Sequence, residues 1–204
     1  MFLFKTFSHI EWSLLLDYYT KHTYNTCLEI GSSTVWKTEQ LSNYATNVIG
    51  LEIFPDRTPS NRTNILYVTG DWHNLNKYIE HKSIDVAIAC HVIEHVNDDK
   101  HCIEQLYNVL NIGASAFLIT PNRKRLSRRI IEIFKGPRVF PHWEHVREYD
   151  YDEINLLIAN SRFEKSSVIP VAIGFHLPYI NMYIHPVPTF LRRFAAVWLV
   201  RLEK

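Results

Sequence analysis

From residue 26 the chain repeats one unit: a short apolar run, a turn bearing Gly, Asp or Asn, then a stretch with apolar residues every three or four positions. The apolar runs at 26–30, 47–53, 65–68, 84–90 and 114–120 are rich in Ile, Val, Leu and Ala, as strands buried on both faces of a parallel sheet are. Segments 38–44, 75–81 and 98–110 carry helical spacing, and Asn111-Ile112-Gly113 stops the last of them. This alternation predicts an α/β fold built on a doubly wound, mostly parallel sheet. An amphipathic helix over 10–19 is expected to pack on the sheet edge.

Past Pro121 the pattern changes. A basic, helix-like stretch at 122–134, a Gly136-Pro137 break and an aromatic, histidine-rich segment up to Tyr149 read as an insertion, 121–150, lying over the site. A helix over 152–160, strands over 164–173 and 194–203, and a Pro-rich loop over 177–188 complete the expected order. At 204 residues the chain suits one domain spanning 1–204.

Composition narrows the partners. Twenty-two basic side chains stand against 21 acidic ones, so no chain-wide field recruits nucleic acid or a membrane. Cys27, Cys90 and Cys102 lack metal-ligand spacing, and their odd number argues against a full disulfide framework, which fits a reducing cytoplasm. The opening residues lack the basic and apolar regions of a signal peptide. The apolar run 194–200 is too short to span a bilayer. Peripheral membrane contact through Phe190, Leu191, Arg192, Arg193, Phe194 and Trp198 stays open beside the reading of these residues as a last strand and its turn.

In an open parallel sheet the ligand crevice lies beyond the carboxyl ends of the strands. Three of those ends carry an acid: Glu29, Glu52 and Asp71, separated by 23 and 19 residues, one βα unit each time. Glu52 suits a ribose, because one carboxylate accepts from both sugar hydroxyls. Gly31 with Ser32, Ser33 and Thr34 forms a polar turn into a helix, where backbone N–H groups can face a carboxylate. Glu29 can meet an ammonium, Asp71 an exocyclic amine, and Trp72 can offer a face to a flat base. Together these describe adenosine joined to an amino acid.

Other patterns fit less well. A dinucleotide fingerprint from Gly31 lacks glycine at Ser33 and Trp36, and a phosphate loop over 31–38 fails at Trp36. His91 and His95 in His91-Val92-Ile93-Glu94-His95 match an inverted zinc-protease pattern, but His91 ends an apolar strand-like run, so no metal is expected. Glu94 can be a first-turn acid or face a substrate; His95 reads as structural.

Leu28-Glu29-Ile30-Gly31-Ser32-Ser33-Thr34, Ile49-Gly50-Leu51-Glu52, Gly70-Asp71, the run from Ile84 to Val96 and Leu110-Asn111-Ile112-Gly113 together resemble the class I S-adenosylmethionine-dependent methyltransferases, in particular the small "type 11" group. His145-Val146-Arg147-Glu148-Tyr149, followed by a helix and Ser161-Arg162-Phe163, is similar to that group as well. The resemblance implies a Rossmann-like, seven-stranded sheet with an antiparallel last strand, and S-adenosylmethionine across the first four strand ends. It implies that Glu29 and Gly31 hold the methionine end, Glu52 the ribose, and Asp71 and Trp72 the adenine, with Ser33 in the cofactor-binding loop and His91 beside the cofactor. The group has glycine where this chain has Ser33 and Val35, and a β-branched Val35 excludes left-handed backbone angles.

On this resemblance the expected reaction is methylation of oxygen on a small, sugar-like or lipid-linked acceptor, with His91 or His145 as general base. The alternative is a silent domain that keeps the fold and binds a partner. Arg123, Lys124, Arg125, Arg128, Arg129, Lys135 and Arg138, with only Glu132 as local counter-charge, read as a solvated helix face or as a patch for a phosphorylated, lipid-linked or nucleic-acid acceptor. His142, His145 and Tyr149 share that segment.

Overall fold

The computed structural model describes residues 7–136, 144–177 and 180–204. Arg138, His142 and the opening residues 1–5 therefore lie outside the described residues. Among the described residues nine strands form: β1 (Tyr24–Ile30), β2 (Ala45–Glu52), β3 (Ile65–Thr69), β4 (Ile84–Cys90), β5 (Leu110–Pro121), β6 (Lys165–Pro170), β7 (Ile173–Leu177), β8 (Ile180–Ile184) and β9 (Val197–Glu203). Five α-helices accompany them: α1 (Phe7–Tyr19), α2 (Val35–Leu41), α3 (Asp99–Val109), α4 (Leu126–Lys135) and α5 (Tyr151–Ala159).

The main sheet has seven strands in the order β3-β2-β1-β4-β5-β9-β6, and β9 runs antiparallel to both neighbours. The order reverses between β1 and β4, which opens the crevice of a doubly wound sheet at that point. Successive residues of one strand feed opposite layers, as period-two geometry requires. Leu28 and Ile30 join the core under α3 and α5, whereas Cys27 joins the core under α1 and α2. The same split separates Leu118 from Ile119 on β5. The sheet is thus covered on both sides, which accounts for the near-continuous apolar runs.

Three differences from the sequence pattern have local causes. The helix expected over 75–81 is a 3-10 segment, Trp72–Lys77, capped by the Asp71 side chain and interrupted at Asn74, whose φ is −120°. The strand expected over 164–173 is divided, because Pro170 ends β6 and β7 then starts in a separate two-stranded sheet. β8 falls inside the expected Pro-rich loop: 180–184 is a proline-free island between Pro178 and Pro186, so its backbone can pair with β7. Residues Thr189–Phe194 form a 3-10 segment ahead of β9. No helix among the described residues is long and apolar enough to cross a membrane.

Candidate functional site

The three acids come together on neighbouring strands. Glu29 on β1 lies in register with Gly50 on β2, Glu52 closes β2 opposite Thr69 on β3, and Asp71 follows two residues later. Main-chain bonds extend the sheet into this rim: Gly31 N and Ser32 N donate to Leu51 O at 2.8 and 3.2 Å, and Gly70 N donates to Glu52 O at 2.8 Å.

Each acid sits in a different setting. Glu29 is 2% exposed, and burial pushes its carboxyl up to about 7 despite a bond from Thr38 Oγ1 and the nearby Lys37 charge. A carboxyl poised there gains from an incoming ammonium. Glu52 is also buried, and its Oε1 accepts from Phe54 N at 3.1 Å. For Asp71, burial raises the carboxyl, but backbone and ring N–H groups of His73, both 2.9 Å from Oδ1, outweigh it and hold the acid below its usual range.

Trp72 corrects the expectation of an open face for a flat base. Its ring is 3% exposed, packed in the main core with Leu75 and Ile79. The apolar side chains actually presented beside the acids are Ile53 and Phe54, 54% and 48% exposed, directly after Glu52. Their signal was the continuation of the second apolar run past its acid, where a buried strand would turn polar.

The loop after β1 needs glycine once. Gly31 has φ +82°, and a Cβ there would stand 2.6 Å from Val92 Cγ2. Ser33 and Val35 need none: among the described residues only Lys82 and His91 combine a side chain with positive φ. Ser33 is exposed on the turn and Val35 opens α2. Ser32 Oγ is buried with no hydrogen-bond partner among the described residues, so an unmet polar group lies beside the rim.

His91 corrects a second expectation. It ends the β4 segment at φ +56°, with Nε2 2.8 Å from Glu11 Oε2 on α1 and Nδ1 3.2 Å from Glu94 Oε1. Burial lowers the imidazole, but the two carboxylates outweigh it and raise it to about 10. His91 is therefore a cation at neutral pH with both nitrogens engaged, which removes it as a general base. The contact was invisible in sequence because Glu11 is 80 positions away. It fastens α1 to the strand end, and Trp12 adds an edge contact to Trp36 at 5.8 Å and a bond to Gln40.

His145 lies on the other side of Glu94. Val146 N and Arg147 N donate to Glu94 O at 2.9 and 3.2 Å, clasping this segment to the 3-10 turn Ile93–His95. His145 Nδ1 is 3.0 Å from Glu148 Oε1, and its ring meets that of His95 edge to face at 4.8 Å. Glu148 is buried; burial raises its carboxyl, but Arg125, His145 and Arg128 hold it below its usual range. Tyr149 is buried too, donating to Asp99 Oδ2 at 2.8 Å.

The basic stretch proves less naked than its local sequence implies. Arg125 and Arg128 reach Glu148 at 2.8 and 2.6 Å, Lys124 reaches Asp150 at 2.7 Å, and Arg123 approaches Glu153 at 3.7 Å. Counter-charges 20 to 30 residues downstream supply what Glu132 alone lacked. Arg128 is 6% exposed, so that part of the stretch is no solvated face.

With this geometry in view, the methyltransferase-domain family matches residues 28–118, the stretch from β1 to β5 that carries the rim. No curated protein matches the sequence. Among solved structures, a chain of the Haloferax volcanii complex between the Trm112 methyltransferase activator and a methyltransferase superposes with a TM-score of 0.70 at 10% identity, covering 96% of this chain and 91% of that one. A S-adenosylmethionine-dependent methyltransferase from Archaeoglobus fulgidus gives 0.66 at 14% identity over 97% and 94%. One from Mesorhizobium loti gives 0.67 at 14% identity over 96% and 98%. At such identities the superpositions establish the fold. Together with the family match over β1 to β5, they give the chain the fold of the methyltransferase domain.

Proposed function

We propose that this chain is an S-adenosylmethionine-dependent methyltransferase that methylates an oxygen of a small or sugar-like acceptor, with the methyl donor lying across the ends of β1 to β4. The observation that carries the donor site is the gathering of Glu29, Glu52 and Asp71 on three adjacent strand ends around the β1–β4 crevice. The residues fit such a ligand. Glu29, kept near neutrality by burial, and the turn at Gly31 and Ser33 would hold the amino-acid end. The Glu52 carboxylate would take the sugar hydroxyls, Asp71 the base amine, and Ile53 the base face.

When bound, the sulfonium supplies an already activated methyl group. What remains for the protein is alignment of the acceptor and exclusion of water. His145, oriented by Glu148, is the candidate to take a proton from an acceptor hydroxyl. His91 contributes a fixed positive charge and an anchor for α1. On this reading residues 1–204 act as one domain, in which 121–150 would cover the acceptor side. Calorimetry with S-adenosylmethionine and S-adenosylhomocysteine tests the donor site: heat that disappears in Glu52→Ala supports it. No heat with the folded wild-type chain overturns it and favours a silent domain. Unchanged turnover in His145→Ala would remove the base assignment.

A further inference from the structure

On the acceptor side of the donor rim, Glu94, His95 and His145 each bring one potential ligand atom to within 4.8 Å of the others. We propose that these three residues bind a divalent first-row metal ion of the zinc class. An oxygen of the methyl acceptor would take a further coordination position on that ion. Two imidazoles and one carboxylate form the donor set that suits borderline ions and leaves coordination positions vacant for a substrate. Magnesium and calcium prefer oxygen ligands throughout, so the set favours zinc, manganese or iron over them.

The surroundings are those a metal site requires. A ligating histidine is normally oriented by its second nitrogen donating to a carbonyl or a carboxylate. His95 Nδ1 is 3.0 Å from the Glu144 carbonyl oxygen, and His145 Nδ1 is 3.0 Å from Glu148 Oε1. Both contacts fix the same tautomer, and the geometry assigns Nε2 as the coordinating atom of each ring. The rings meet at 83°, so they converge edge to face instead of stacking.

Glu94 is fully buried, with Oε1 3.2 Å from His91 Nδ1 and Oε2 3.2 Å from Thr120 Oγ1. A carboxylate has about four acceptor positions, so these contacts orient it and leave lone pairs for an ion. The main-chain bonds from 146 and 147 to Glu94 O hold the two halves of the site together across about 50 residues of chain. An oxygen bound to such an ion loses its proton to solvent more readily than in water, so with the ion in place His145 serves as a ligand and the free-base role falls away. The identity of that oxygen rests on the methyltransferase reading; ion binding does not.

The test uses the full chain after chelator treatment. Zinc is titrated against a chromophoric competitor, and cobalt(II) is followed by visible absorption, for wild type, His95→Ala, His145→Ala, Glu94→Gln, Glu148→Gln and the exposed control His81→Ala. Circular dichroism checks folding of every sample, and S-adenosylmethionine calorimetry is run on the metal-free wild type.

The expected result is a single tight equivalent in wild type and His81→Ala. It weakens about 10- to 100-fold in Glu148→Gln, the usual cost of losing an outer partner, and by more in the ligand variants. Equal affinity in folded His95→Ala, or no binding to folded wild type, overturns the site. If Glu94→Gln unfolds, the two histidine variants decide. Loss of the donor heat with metal binding intact would refute the methyltransferase reading alone, and the converse would refute the metal site alone.

Discussion

Replacing Glu29 by Gln tests the electrostatics of the acidic rim directly. The carboxyl is raised from 4.5 to about 7, with burial as the main cause. Its folded value lies above its unfolded one, so the folded state holds the proton longer. Its contribution to stability is fully present below about 4.5, declines as pH rises towards 7, and is constant above. The rise corresponds to about 3 kcal/mol, of which about 2 to 3 kcal/mol is lost between pH 5 and 8. Gln cannot ionise, yet its carbonyl can still accept from Thr38 Oγ1, which lies 2.5 Å from Glu29 Oε2. An unmet amide N–H lowers stability by a pH-independent amount, about 1 to 3 kcal/mol. Other titrating groups act equally on both proteins and cancel in the comparison. Thermal unfolding at pH 5 and pH 8 should therefore show the wild type losing about 5–10 °C more than Glu29→Gln on going to the higher pH. Parallel pH dependence in the two proteins would refute a neutral-range carboxyl at this position. Calorimetry on the same pair should show donor affinity rising with pH up to about 7 only in wild type, because an ammonium favours the ionised acid.

Other perturbations bear on other parts of the site. Gly31→Ala should lower stability by roughly 1–3 kcal/mol in urea unfolding, since it meets both a left-handed φ and a 2.6 Å contact with Val92. Glu11→Ala should bring His91 down from about 10, visible as an imidazole NMR titration moved towards neutrality. Because the folded imidazole is raised, the stability it contributes is present below about 6.5 and lost as pH rises through about 10, and the variant should lack most of that loss. Arg128→Ala removes a 2.6 Å charged bond from buried Glu148 while Arg125 remains; about 1.5–3 kcal/mol of destabilisation by chemical denaturation is expected.

The sheet and its acidic rim were legible because both are local: apolar runs fix the strands, and each acid lies within three residues of its run's end. The pieces that escaped depend on long-range neighbours. Nothing around His91 announces Glu11, and nothing in the basic stretch announces Glu148 and Asp150, yet those partners turn a base into a cation and a patch into a network. Trp72 looked available because its neighbour Asp71 is polar, whereas a 3-10 segment rotates the indole into the core. The trio Glu94, His95 and His145 was hidden for the opposite reason. Sequence placed His91 and His95 as the pair to judge, and the backbone at His91 turns that ring towards α1 instead.

The three-residue turn Ile93–His95 has one more implication. Through Glu94 it touches His91, which anchors α1, and through its carbonyl it grips residues 146 and 147. On the proposed function, a donor over the ends of β1 to β4 and an acceptor beside residues 144–150 would border that one turn from two sides, and steady-state kinetics ought to show a preferred sequence of loading instead of two independent encounters.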